Sequence, residues 1–231
     1  MGRRLDSELQ ELRDRLLGMA SQVEEAIGKA MRALVGREEA LAREVIASDH
    51  AINMAEIEVE EFCLRLLALH QPEATDLRLI TMAFKINNDL ERMGDLAVNI
   101  AERTVDLLKE PLLKPLIDLP RMAQQAQAMV RDSLDAFVRR DADLAKNVCE
   151  RDDTVDRLND QIFRELLTYM LQDPKTIQRA LGLILIGRYL ERIADHATNI
   201  AEDVFYVVRG HTIKHHVAES GAAEARGERG A

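Results

Sequence analysis

The sequence predicts an all-α protein: two tandem three-helix bundles, six long helices in total, related by a pseudo-twofold internal repeat. Three observations lead there. The composition is aliphatic, with 47% hydrophobic residues but only 3% aromatics and no Trp across 231 residues, which suits helices packed on helices. Leu5, Leu9, Leu12, Leu16, Met19, Val23, Ala26 and Ala30 follow one another at alternating spacings of four and three, the unbroken seam of a long helix packed at a shallow angle. Finally, LERMGDLAVNIAE at 90–102 returns as LERIADHATNIAE at 190–202, identical at nine of thirteen positions.

The five prolines set the order of the elements. None falls inside a strongly periodic stretch, where each would cost about 3 kcal/mol. Pro72 and Pro174 each close one helical pattern and open another, while Pro111, Pro115 and Pro120 cluster in EPLLKPLIDLP at mid-chain. Reading between them gives helices over about 4–35, 37–70, 73–110, 120–139, 141–172 and 175–209, with boundaries at Gly36 and near Arg140-Asp141. LAREVIASDHAIN (41–53) matches LAKNVCERDDTVD (144–156) at an offset of 103, and Pro72 matches Pro174 at 102. Residues 1–112 therefore form the first bundle, 113–120 a Pro-rich linker and 121–210 the second bundle. Residues 211–231 are a polar tail whose Gly, Ala and charge content is that of a flexible segment. No stretch alternates with period two, so no sheet is expected.

Composition narrows the function. A net charge of −10 argues against nucleic-acid binding, which needs a basic face for the phosphates. Cys63 and Cys149 lie far apart with no metal-binding spacing, as two core thiols of a reducing compartment do. The start, MGRRLDSELQ, has no apolar signal core, and the longest apolar run, ALGLILIG, is too short to span a bilayer. A cytoplasmic location without membrane insertion is the expectation. In the tail, His211, His215 and His216 form an H-x3-H-H cluster, which reads as solvated rather than metal-holding.

The repeated helix carries the candidate chemistry. At about 100° per residue, Glu91, Asp95, Asn99 and Glu102 share an arc of about 80°, as do Glu191, Asp195, Asn199 and Glu202. One such stripe reads as a solvated face. Yet Glu and Asp at i,i+4 repel, and Asn is a poor residue in mid-helix. Both copies keep all three, on a face where two diverged halves have no reason to agree. Stacked oxygen donors one turn apart are what a hard or borderline cation takes from a helix. The preceding helix offers Asp49 and Asn53 in the first half, and Asp152, Asp153 and Asp156 in the second. The expectation is one carboxylate-rich metal site per half, with Mg, Mn, Fe and Zn all open. Arg92 and Arg192 adjoin the stripes and are expected to pair with nearby carboxylates.

The twin LER(M/I)(G/A)D…NI helices, HQPEATDLRL at 70–79 and RELLTYMLQDP at 164–174 resemble the PhoU family of bacterial accessory regulators of phosphate-specific transport, over about residues 5–210. The resemblance implies two three-helix bundles, dimer formation and metal clusters at E(D)xxxD motifs. Those motifs fall on Glu91/Asp95 and Glu191/Asp195, with Asp49 and Asp152 where partner-helix acids are expected. His196, opposite Leu96, stands to give the second site an imidazole ligand. The implied role is non-enzymatic: when phosphate is ample, such a protein holds the phosphate ABC transporter, through its ATPase subunit, and the phosphate-sensing histidine kinase in the inactive signalling state. Two alternatives compete. A carboxylate-bridged metal oxidase would need Glu-x-x-His pairs, and no Glu here has a His three residues on. A metal-free structural or chaperone-like bundle would tolerate neutralisation of Glu91 and Asp95.

Overall fold

The computed structural model describes the backbone of residues 2–210 and the side chains of residues 4–210. The tail cluster His211, His215 and His216 lies outside the described residues. Six helices run in order: α1 (Gly2–Gly36), α2 (Glu39–His70), α3 (Ala74–Leu107), α4 (Asp118–Arg139), α5 (Ala142–Gln172) and α6 (Ile177–Arg209), with a 3-10 turn at Pro174–Thr176 before α6. The breaks fall where the prolines and Gly36 place them. One difference is α4, which begins at Asp118, so that Pro120 sits in its first turn, where the missing N–H costs nothing.

The repeat extends to the way the helices end. Arg37 (φ 56°) and Arg140 (φ 53°) both take the left-handed conformation one residue beyond the first helix of their halves. Glu38 N donates to Ala33 O at 2.9 Å and Asp141 N to Ala136 O at 3.0 Å, the same closure of the last helical turn at equivalent positions. Asp141 then caps α5 by accepting from the N–H groups of Asp143 and Leu144.

The third helix of each half is central. α3 packs on α1, α2 and α6, and α6 packs on α4, α5 and α3, while α1 meets α4. One continuous aliphatic core results, with Leu12, Leu16, Ile27, Ile86, Met93, Ile100, Leu190 and Ile200 fully enclosed. Across the α3–α6 junction, His196 Nδ1 and Asp89 Oδ1 lie 2.8 Å apart, both nearly buried, and Lys85 Nζ reaches Asp203 Oδ1 at 3.0 Å. The residues equivalent to Asp89 and His196 are Tyr189 and Leu96, so the polar pair occurs on one side of the pseudo-twofold only. The segment between α3 and α4, residues 108–117, is clamped at several points. Arg37 Nη2 donates to the carbonyls of Leu108 and Glu110, Arg179 Nη1 to that of Pro111, and buried Lys114 pairs with Glu165.

The Asp89–His196 pair sets a test of how the halves are joined. Asp89→Ala alone is expected to cost about 2–3 kcal/mol, because it strands a buried imidazole. Asp89→Ala with His196→Leu should cost less than the two single losses added. Urea unfolding of the four proteins measures this, and strict additivity would remove the pair from the interface energetics.

Two acidic clefts at the candidate functional site

The outer faces of α3 and α6 meet α2 and α5 in two equivalent seams, and the acidic stripes line them. In the first seam, Glu91 and Asp95 of α3 face Asp49, Asn53 and Glu56 of α2. Asn53 Nδ2 donates to Asp49 Oδ2 at 2.9 Å, and Asn87 Nδ2 to the Glu56 carbonyl at 2.9 Å. The remaining oxygens, Asp49 Oδ1, Asn53 Oδ1 and Asn87 Oδ1, are buried without a hydrogen-bond partner. Burial pushes the Glu91 carboxyl above its ordinary range, with Asp95, Glu56 and Asp49 adding repulsion and Arg92 opposing it. Asp95 is raised as well, by burial and then by Asp49.

The second seam repeats the plan with more charge. Asp152 is pushed up to about 6 by burial and by Asp156, Asp195 and Asp153, against the Thr198 hydroxyl. Burial and Asp195 raise Asp156. Burial also raises Asp195 itself, opposed by Arg188, His196 and Arg192. Asp152 Oδ1 is buried without a partner. Here the chain supplies a cation of its own: Arg188 pairs with Glu191 Oε2, which also accepts from Asn159 Nδ2 at 2.9 Å. Burial comes first in raising Glu191, and Arg188 lowers it. The equivalent of Arg188 is Asn88, so the first seam has no such internal counterion.

Of the sequence-derived residues, Glu91, Asp95, Asp49 and Asn53 are brought together, as are Glu191, Asp195, Asp152 and Asp156. Asn99 is half-buried and Asn199 exposed, one turn further on; Glu102 is exposed, and Glu202 lies near enough to Cys149 to raise its thiol. Asp153 is exposed and acts on the second seam through its charge. His196 is engaged with Asp89 across the junction of the halves. Arg92 and Arg192 are exposed and act on the carboxylates through charge, without a direct ion pair among the described residues. Glu56, Asn87, Asn159 and Arg188 were not foreseen. Glu56 and Asn159 continue the spacing Asp49, Asn53 and Asp152, Asp156 by three residues at the same offset of 103, a signal the sequence does contain. Cys63 and Cys149 are free and buried, with thiols pushed up to about 11 and about 12, mainly by burial, so both are unreactive at neutral pH.

Carboxylates and amide oxygens, some left unpaired, are the right donors for a hard or borderline cation. The seams do not close around a point, however: among the described residues no three Asp, Glu, His or Cys side chains converge enough to hold one ion.

Fold and seams together define a duplicated helical scaffold with one acidic seam per half. A sequence model of the PhoU domain matches residues 16–104 and again 119–204. The chain belongs to the PhoU family. It is 48% identical over 219 residues to the phosphate-specific transport system accessory protein PhoU homolog of Aquifex aeolicus, covering 94% of this chain and 99% of that one. The Escherichia coli protein of the same designation is 35% identical over 210 residues, 91% of this chain and 87% of that one. The crystal structure of PhoU from Pseudomonas aeruginosa superposes with a TM-score of 0.86 at 44% identity, covering 89% and 99% of the two chains. The phosphate transport system regulatory protein PhoU from Streptococcus pneumoniae gives 0.84 at 33% identity, covering 90% and 98%. These relatives bear the names of accessory and regulatory proteins, not of enzymes, in line with the non-enzymatic expectation.

The raised Asp152 carboxyl gives a pH prediction. Its folded pKa lies above the unfolded value, so the native state holds the proton more tightly. The stability this contributes is present below about pH 4 and is lost as pH rises through about 6. Asp152→Asn, in chelator-treated buffer, should therefore stabilise the fold at neutral pH by on the order of 1 kcal/mol, allowing for solvent screening. Urea unfolding should show that gain vanish below about pH 4; an equal gain at both pH values would exclude charge repulsion as its cause.

Proposed function

We infer that the chain is a cytoplasmic negative regulator of phosphate uptake and of phosphate-starvation signalling, an adaptor between the ATPase subunit of a phosphate ABC transporter and a phosphate-sensing histidine kinase. What carries this reading is the match to proteins named as phosphate-specific transport accessory proteins over nearly the full described chain. Among the described residues no helix is long and apolar enough to cross a membrane, and in this reading contact with the transporter runs through its ATPase subunit. The adaptor acts by preferring one conformation of each partner, since only differential affinity shifts an equilibrium. Deleting the gene in its host should switch on a phosphate-starvation reporter in phosphate-replete medium and raise phosphate uptake. A reporter that stays silent and uptake that is unchanged would exclude the regulatory role.

The acidic clefts take divalent or trivalent cations in this reading. Support comes from mutual repulsion across each seam and from the unpaired buried oxygens of Asp49, Asn53, Asn87 and Asp152. Asp49, Asn53, Glu91, Asp95 and Asn99 would hold the ion in the first half, and Asp152, Asp156, Glu191, Asp195 and Asn199 in the second. The lack of three converging acids favours a second reading, in which the clefts are metal-free acidic surfaces. Elemental analysis separates the two. Wild type dialysed against trace-metal-free buffer should retain metal that Asp95→Asn/Asp195→Asn loses while keeping its helicity. Equal and negligible metal in both would establish the metal-free adaptor.

A further inference from the structure

The two acidic seams follow one plan, and only the second carries a guanidinium of its own. There Arg188 pairs with Glu191 Oε2, the oxygen that also accepts from Asn159 Nδ2 at 2.9 Å. The charge of Arg188 reaches Asp156 and Asp195 as well. At an offset of 100, Asn88 stands for Arg188 and Glu91 for Glu191; at 103, Asn53 stands for Asp156 and Glu56 for Asn159. The first seam thus has four carboxylates, Asp49, Glu56, Glu91 and Asp95, and no guanidinium in the place of Arg188. Among the described residues none of the four is in an ion pair, and Arg92 acts on Glu91 and Asp95 through charge alone.

The first seam also holds acceptors that ask for donors. Asn87 is only 2% exposed; its Nδ2 donates to the Glu56 carbonyl, while its Oδ1 is buried without a hydrogen-bond partner. Asp49 Oδ1 and Asn53 Oδ1 are left in the same condition. Gly187 occupies the position of Asn87 in the other half, so this buried acceptor occurs only where the arginine is missing. The acids do not close around one point. A planar guanidinium with five N–H donors suits acceptors spread along a seam, whereas an ammonium is a compact point charge with three.

The rims differ in the same sense. Phe84 lies one turn before Asn88 and Ile57 one turn beyond Asn53, and both are exposed. In the second half Asp160 stands for Ile57, and Ile184, which stands for Phe84, packs against the core. An acidic cleft with an apolar and aromatic rim is what an arginine anchor of a protein interface requires: the rim covers its aliphatic stem while the acids receive its head.

We propose that the first seam receives an arginine side chain of a partner protein, flanked there by apolar residues, whose guanidinium bonds Glu91 and Asn87 Oδ1 as Arg188 bonds Glu191 in the second seam. The partner therefore engages one half of the repeat and not the other. This inference rests on the metal-free reading of the first seam and not on the regulatory role. Elemental analysis decides that reading, and the titration below decides the arginine site.

The test uses the full chain in chelator-treated buffer and the peptide acetyl-Ala-Leu-Arg-Leu-Ala-amide. The side-chain amide NMR signals of Asn53 and Asn87 report the first seam, and that of Asn159 the second. Saturable shifts are expected at Asn53 and Asn87 and none at Asn159. Affinity should fall about tenfold or more in Glu91→Gln. Binding should be lost in Asn88→Arg, an exposed position at which the chain would fill the seam itself. Circular dichroism checks that both variants keep their fold. No shift, equal shifts at both seams, or undiminished binding by Glu91→Gln overturns the proposal. So does equal binding of the peptides with lysine or citrulline in place of arginine. Tighter binding after removal of residues 211–231 would assign the seam to the chain's own C-terminal residues and overturn it as well.

Discussion

Everything in this molecule depends on two helices that must each satisfy three helical neighbours. α3 is enclosed by α1, α2 and α6, and α6 by α4, α5 and α3. Such a helix is apolar over most of its circumference, and α3 accordingly buries Leu79, Ile86, Leu90, Met93, Ala97 and Ile100. The polar strip that remains lies along the seam with one outer helix. Small residues set how closely the helices approach. A Cβ on Gly94 would come within 3.1 Å of Ile52 Cγ2, and one on Gly187 within 2.9 Å of Asn159 Oδ1. Both glycines adjoin the acidic stripes, so the packing that closes the core also brings the carboxylates of neighbouring helices face to face.

That geometry explains why the acids are raised rather than lowered in pKa. On an open surface, carboxylates one turn apart repel weakly, because water screens them. At a seam each loses solvent to the facing helix and gains that helix's acids as neighbours, and both effects favour the protonated form. The halves answer the strain differently. The second seam carries Arg188, paired with Glu191, and the largest shift among its acids sits deeper, at Asp152. The first seam has Asn88 in place of Arg188 and relies on Asn53 and Asn87, whose amide groups donate within the seam and leave their oxygens unpaired. The acidic stripes were kept while their surroundings diverged.

Helix positions, the repeat and the facing of Glu91 and Asp95 toward Asp49 were legible in the sequence because each follows from a local period: 3.6 residues for the helices, about 100 for the halves. The start of α4 was placed two residues late, because a proline tolerates the first turn of a helix as readily as the residue before it. Contacts between the halves were not legible. His196 read as a possible ligand because it stands opposite Leu96 within the repeated motif, whereas its bonded neighbour in space is Asp89, 107 residues away and without an acidic equivalent in the other half. The clamped linker escaped for the same reason. Arg37 and Arg179 carry no motif, and only the chain's return past the end of α3 shows which carbonyls they hold.

Charge is segregated in a way the net value of −10 conceals. Acids line the two lateral seams, while Arg78 and Arg140 border an apolar hollow at one end. A seam lined by carboxylates attracts cations and repels acidic segments. The hollow and the first seam share one element, because α3 runs from Arg78 to Asp95 within a single unbroken helix. A helical scaffold whose surfaces share one helix transmits what binds at one of them to another only through differential affinity between their states, and any such coupling is reciprocal.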